Sequence, residues 1–367
     1  MNCPVILLLL LVGWNSAKGA APPAGAAPSS AEVQAAWLEL QEASQSLPVP
    51  AEWLREDPGL EVRRDFDRRN AVRAGLGADQ ARAFHTRYPN DPRAEGARKL
   101  EYELLSAAVQ LGETNRRPQL MGVEVERLAN RRLPEAERFQ IRATQVLRPF
   151  TRPSTQAKTV QLAEIEKNAK LLQKEFPKRS EALEILSAVA LAWVANDNPD
   201  QARALFKQIV SAGAAEQKES ARAALRALDR LGKVIKMQFV TMTGGVVDLQ
   251  ALRGKVVLVD FWATWCAPCR EALPNLKAIY DKFHAQGLEV IGVNFDRDRP
   301  MVERFLEQQK VPWPQYFDGR MWQNKFAQEF EITTLPIVWL LDRQGRLRHL
   351  NAREDLAARV ERLLAER

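Results

Sequence analysis

The chain has 367 residues, enough for two or three domains of ordinary size. Hydrophobic residues make up 46% and charged residues 27%, so neither wholesale disorder nor a polytopic membrane protein fits. Net charge is +7, with 53 basic residues interleaved with 46 acidic ones; a nucleic-acid binder gathers its basic residues in a patch, so no nucleic-acid partner is expected.

Residues Val5 to Val12 are an unbroken apolar run, followed by small residues through Ala17-Lys18-Gly19. The run is too short to span a bilayer, which takes ~20 residues, and suits the core of a secretory signal. Residues 1–19 are therefore expected to be a signal peptide, although no Lys or Arg precedes the run. Cys3 lies before the run, where a lipoprotein cysteine cannot be, and cleavage would remove it. An exported protein in the periplasm or cell envelope is expected, carrying one cysteine pair. Residues 20–31, rich in Ala, Pro, Gly and Ser, read as a flexible linker.

From 32 to 230 the chain is rich in Ala, Leu, Glu, Arg and Gln, with apolar residues at helical spacing, as in Ala182, Leu183, Leu186, Val189, Ala190 and Trp193. Pro89, Pro92, Pro118, Pro177 and Pro199 cut it into helices of ordinary length. Two segments, Ala83–Pro89 and Leu171–Pro177, each end in an aromatic residue and a proline and precede an alanine that would pack closely. They resemble tetratricopeptide hairpins, without the usual spacing of ~34 residues. An α-helical repeat-like domain is expected over 32–230, either a docking surface for a protein partner or a structural spacer. Arg55, Arg63, Arg64, Arg68, Arg69 and Arg73 are interspersed with Glu56, Asp57, Glu61, Asp65 and Asp67, the pattern of a solvated, ion-paired helix.

Beyond Gly232, apolar β-branched runs alternate with helical stretches: Val256–Trp262, Arg270–His284, Leu288–Phe295. Strands separated by helices predict a partly parallel sheet, with a boundary near 228–236. The strand Val256–Trp262 runs directly into Trp265-Cys266-Ala267-Pro268-Cys269. Two residues between cysteines at a helix start bring both sulfurs within bonding distance. The first sulfur meets the helix dipole and free N–H groups, which favour thiolate, so Cys266 is the expected attacking group. Cys269, expected to be more buried, is the resolving group. Pro268 lacks an N–H, which the first helical turn does not need. Zinc would need a second cysteine pair, and none exists; His85, His284 and His349 show no ligand spacing. No metal and no cofactor are expected.

With these residues in view, 232–350 resembles the thioredoxin-fold domain of the TlpA/ResA-like thiol–disulfide oxidoreductases. The resemblance rests on Gly254–Cys269, Pro274, Val290–Asn294, Thr334-Leu335-Pro336 and Leu341–Arg346. It implies a multidomain chain, an all-α region followed by an α/β thioredoxin fold over 232–367. Pro336 matches the family's cis-proline, which packs against the active disulfide and turns the backbone of Leu335 towards Cys266. Asp260 matches the buried acid behind the active site, poised to take a proton from Cys269. Trp265 matches the aromatic that shields the site. Trp265, Ala267, Pro268, Thr334 and Leu335 are the implied substrate-contacting residues, and a membrane-bound electron donor is the implied redox partner.

The departures are as informative. The glutamate many relatives carry three residues after the second cysteine is Ala272 here, and Glu271, ~100° around the helix, cannot replace it. The lysine that thioredoxin places near its buried acid is Gly292 here, so Asp260 is expected to transfer the proton alone. Thr264 lies two residues before Cys266 rather than three, which argues against a peroxidase. Trp313, Trp322 and Trp339 are expected in the core or at its rim. The expected activity is reduction of disulfide-containing protein substrates. The alternative is an envelope scaffold whose helical half binds a partner and whose dithiol is structural or regulatory.

Overall fold

The computed structural model describes residues 31–54, 58–151 and 158–366. The expected signal peptide and all of the linker except Ala31 lie outside the described residues; Ala31 opens the first helix. The described chain forms two compact units, one ending at Thr151 and the other running from Lys158 onward.

The described residues of the first unit are mainly helical: α1 (Ala31–Ala43), α2 (Leu60–Arg87), α3 (Ala94–Gln110), α4 (Arg117–Ala129) and α5 (Glu135–Leu147), the last four joined by short connections. Small side chains let the axes of α2 and α3 approach, with Ala74, Ala78, Ala81, Ala97 and Ala108 all buried between larger apolar residues. Phe84 closes α2 against Trp37, ring centroids 5.2 Å apart. Arg68 and Arg69 both pair with Asp65 on the exposed surface, as the charge pattern predicted. Charges that are buried have partners: Glu101 receives Arg82 at 3.0 Å and His85 at 2.7 Å, and Arg127 reaches Glu95 and Glu137.

The second unit opens with α6 (Lys158–Glu175), α7 (Ser180–Ala195), α8 (Pro199–Ala212) and α9 (Ala215–Leu228). Helix α7 is apolar nearly all round and sits centrally, burying Ala182, Leu183, Ile185, Leu186, Val189, Ala190 and Trp193. Helix α8 presents Ala202, Leu205, Phe206 and Ile209 inward at helical spacing. A hairpin of β1 (Gln238–Val240) and β2 (Val246–Asp248) then leads to the main sheet.

That sheet contains β3 (Val256–Trp262), β4 (Leu288–Asn294), β5 (Gln315–Tyr316), β6 (Ile337–Leu341) and β7 (Leu347–His349), in the order β5-β4-β3-β6-β7. Strands β3 and β4 are parallel, joined through α10 (Ala267–Phe283), and β6 and β7 run antiparallel to complete the mixed sheet. Strands β3 and β4 are buried almost end to end, as their unbroken apolar runs require. One face packs Leu258, Val290, Val338 and Leu340 against α10 and α11 (Leu356–Ala365). An all-α region followed by an α/β thioredoxin fold is the architecture that the resemblance implies.

The change of secondary structure falls near residue 230, whereas the compact unit begins earlier. Side chains explain why. Arg226 and Arg230 both reach Glu331, Lys158 pairs with Glu354, and Asp197 meets His349 at 2.7 Å and Arg359 at 3.1 Å. Arg359, itself buried, also donates to the Ala195 carbonyl at the end of α7. Helices α6–α9 are thus bound to the α/β portion by polar contacts that no periodicity reveals.

Candidate active site

Strand β3 delivers the chain to the loop Ala263–Trp265, and Cys266 caps α10. Its sulfur accepts the Cys269 N–H at 3.3 Å, satisfying one of the donors that a helix start leaves open. Pro268 sits in the first turn as expected. Cys266 and Cys269 are joined in a disulfide. The two residues are equally sheltered, 5% and 7% exposed, so Cys269 is not the more buried of the pair as expected. What distinguishes them is the surroundings: Cys269, with Asp260, lines a narrow pocket beneath the helix, walled by Trp262, Leu273, Trp313 and Gln315.

Asp260 is half-buried on β3, between the fully buried Val259 and Phe261. Burial penalises its charged form and pushes its pKa up to about 7; the positive field of Arg353 works in the opposite direction. Arg353 therefore favours the charged form of Asp260, although no lysine stands at Gly292. Arg353 comes near through the sheet: Asp260 pairs with Val338 across β3 and β6, and the Val338 carbonyl accepts the Ala352 N–H at 2.8 Å. Gly292 also has a physical reason. The Gln315 side chain occupies the space any Cβ there would need, accepting the Trp262 indole N–H at 2.9 Å and donating to the Trp313 carbonyl.

The Leu335–Pro336 bond is cis, as the resemblance implied. It leads into β6, whose first residue, Ile337, pairs with Phe261 near the end of β3. Thr334, Leu335 and Pro336 thus enter at the end of the sheet from which the cysteine loop leaves. Thr334 and Ala267 are exposed, and Leu335, Pro336 and Pro268 are half-buried. Trp265 is 45% exposed, so it is not a core residue. Trp313 and Trp339 are core residues, and Trp322 is half-buried at the rim. Glu271 faces solvent.

A buried polar cluster beneath the loop was missed. Asp296 accepts the Thr264 N–H at 2.8 Å, the Thr264 hydroxyl at 2.6 Å and the Asn294 amide at 2.7 Å. Asn324 donates to the Asn294 carbonyl, and Arg270 donates to the Thr264 carbonyl at 3.2 Å. The loop two residues before Cys266 is therefore held from both sides. The signal lay in polar Asn294 and Asp296 closing an apolar parallel strand, the end at which α/β sheets place their sites. Among the described residues, no group of His, Cys, Asp or Glu is arranged to hold a metal ion. No helix of the described residues is long and apolar enough to cross a membrane.

The Redoxin family model matches residues 211–364, reaching back from the α/β portion into α8 and α9. The thiol-disulfide oxidoreductase ResA of Bacillus cereus is 29% identical over 119 residues, 32% of this chain and 67% of the relative. The ResA of Bacillus subtilis is 29% identical over 104 residues, 28% of this chain and 56% of the relative. Among solved structures, the thioredoxin domain of a thiol-disulfide oxidoreductase from Bacteroides vulgatus is 29% identical, covering 36% of this chain and 97% of its own, with a TM-score of 0.34. A putative thiol:disulfide interchange protein DsbE from Chlorobium tepidum is 28% identical, covering 37% and 97%, with a TM-score of 0.33. The chain therefore carries a Redoxin domain over residues 211–364, similar to thiol–disulfide oxidoreductases of the ResA type.

Proposed function

We propose that this chain is an exported thiol–disulfide oxidoreductase that reduces protein disulfides. The observation that carries the reading is the placement of a cysteine pair at the start of α10 with a proton-holding carboxyl, Asp260, sharing a pocket with the second cysteine. In the reduced protein, Cys266 thiolate attacks one sulfur of a client disulfide. The client S–S bond breaks, a mixed disulfide forms, and the released client sulfur takes a proton. Cys269 then passes its proton to Asp260 and attacks the Cys266 sulfur. The mixed disulfide breaks, the second client thiol leaves, and the Cys266–Cys269 disulfide reforms. Two electrons have moved from the dithiol to the client, and an external dithiol donor at the membrane must return them. The client backbone runs along Thr334 and Leu335, opposite Trp265, Ala267 and Pro268. No cofactor takes part.

Export rests on the apolar run Val5–Val12 and the small residues at Ala17–Gly19. The test is an equilibrium redox titration of the mature chain against glutathione or dithiothreitol. A two-electron transition near ~−270 mV supports a reductase, and one near ~−120 mV makes it a disulfide donor. Absence of a reversible transition overturns the reading.

A second reading, an envelope scaffold, has one observation in its favour. Met121 and Val125, four residues apart on α4, are 48% and 68% exposed and mark an apolar strip on the helical unit that a protein partner could cover. Cys266→Ser separates the readings: it abolishes function in cells for the reductase and leaves it intact for the scaffold.

A further inference from the structure

Trp265 stands one residue before Cys266, and nearly half of its surface is open. An indole left this open forgoes apolar burial that the core gives Trp313 and Trp339. Nor does it stand alone. Its ring meets Trp322 with centroids 5.9 Å apart and planes tilted by 56°. Trp322 in turn packs edge-on against Phe295 at 5.4 Å, and Phe295, fully buried, continues to Phe261 and Trp339. The two indoles are the outer end of an aromatic stack rooted in the core. The turn Met321–Gln323 that carries Trp322 is fixed by Asn324 N–H on the Met321 carbonyl at 3.0 Å and by the Gln328 amide on the Trp322 carbonyl at 2.8 Å. An apolar platform thus begins at the residue beside Cys266.

We infer that Trp265 and Trp322 form the seat for an apolar side chain of the client, placed two residues from the client cysteine. The inference rests on the thiol–disulfide exchange proposed above and names the class of substrate it favours. In an extended client segment, side chains alternate in direction, so a residue two positions from the cysteine points the same way as the attacked sulfur. It lies ~6.6 Å along the strand, at ~3.3 Å per residue. A neighbour one position away points to the opposite face and does not reach it. Preferred clients carry Phe, Tyr, Trp, Leu or Met at that second position, where aromatic contact adds to plain burial.

The test uses the reduced full chain and disulfide-linked dimers of short peptides, one bearing Phe two residues from its cysteine, one bearing Ser there, and one bearing Phe at the adjacent position. The first is reduced about three- to tenfold faster than the other two, the range that one aromatic contact gives. Trp322→Ala brings this ratio to near one, and Trp322→Phe restores most of it. Equal rates for all three peptides, or a ratio unchanged in Trp322→Ala, overturn the inference while leaving the exchange activity standing. Reduction of none of the peptides, nor of glutathione disulfide, overturns both the inference and the exchange reading on which it rests.

Discussion

Asp260 and Cys269 line one narrow pocket, the carboxyl from the middle of the sheet and the sulfur from the first turn of the covering helix. Burial holds the proton on Asp260 up to about 7, so near neutral pH it both gives and takes one readily. Asp260→Asn keeps the shape and removes the titration. It slows disulfide exchange at pH 7 by ~10²-fold, the low end for a positioned acid–base group. Stopped-flow reduction of a model disulfide from pH 5 to 9 checks this, and unchanged rates across the range would sink the role.

The same carboxyl makes stability depend on pH. Its pKa is about 7 when folded and 3.8 as the reference value, so between these limits the folded chain binds the extra proton. Stability therefore falls as pH rises from ~4 to ~7, losing ~1.4 kcal/mol for each pH step of one across that window, a few kcal/mol in all. Asp260→Asn, which has no charge to bury, has a higher Tm than the parent at pH 8. The difference closes towards pH 4. Thermal melts of the oxidised forms at the two pH values give the sign.

Arg353 opposes the effect of burial on Asp260. Arg353→Met removes that positive field, so the carboxyl titrates higher still, and the inflection in the pH profile of exchange moves up. Asp260→Asn in the same background removes the inflection, which shows that Arg353 acts through Asp260. An inflection unmoved in Arg353→Met would leave Arg353 without a part in proton transfer.

The readable and unreadable parts of this site divide by distance along the chain. Cys266, Cys269 and Asp260 lie on one strand–loop–helix passage, where local spacing is informative. Pro336 was legible through a resemblance, since a cis bond has no local signature. Thr264 and Asp296 are 32 residues apart, and Trp262 and Gln315 are 53 apart. Each of those pairs meets only because β3, β4 and β5 lie side by side. Periodicity reports which face a residue takes, not which polar partner it finds there. The boundary near 230 has the same cause: Asp197, Arg226 and Arg230 look like ordinary surface charges until His349, Arg359 and Glu331 come opposite them.

Those contacts predict the minimal stable fragment. Residues 158–367 keep the pairs to Glu331, Glu354, His349 and Arg359, whereas 232–367 leaves buried Arg359 without Asp197 and the Ala195 carbonyl. Hydrogen bonds to a charged group are worth about 1.5–3 kcal/mol each. The longer fragment therefore unfolds at a higher urea concentration than the shorter one. Coincident midpoints would restore the boundary near 230.

Gly292 and Gln315 supply the last prediction. The Gln315 side chain lies where a Cβ on Gly292 would go, and it is held there by the Trp262 indole and the Trp313 carbonyl. Gly292→Ala forces that amide out of a tight place and costs about 1–3 kcal/mol, the usual range for overpacking. Gln315→Ala costs about 1–3 kcal/mol for a different reason, since the buried Trp262 N–H loses its acceptor. The two losses do not add. With the glutamine gone, the new methyl group enters space that is already clear, and the double variant is more stable than the sum of the single changes predicts. Neighbours in contact show coupling of ~0.5–3 kcal/mol, and urea titration of the four proteins in the cycle measures it. Additive losses would mean that Gly292 answers to something other than Gln315.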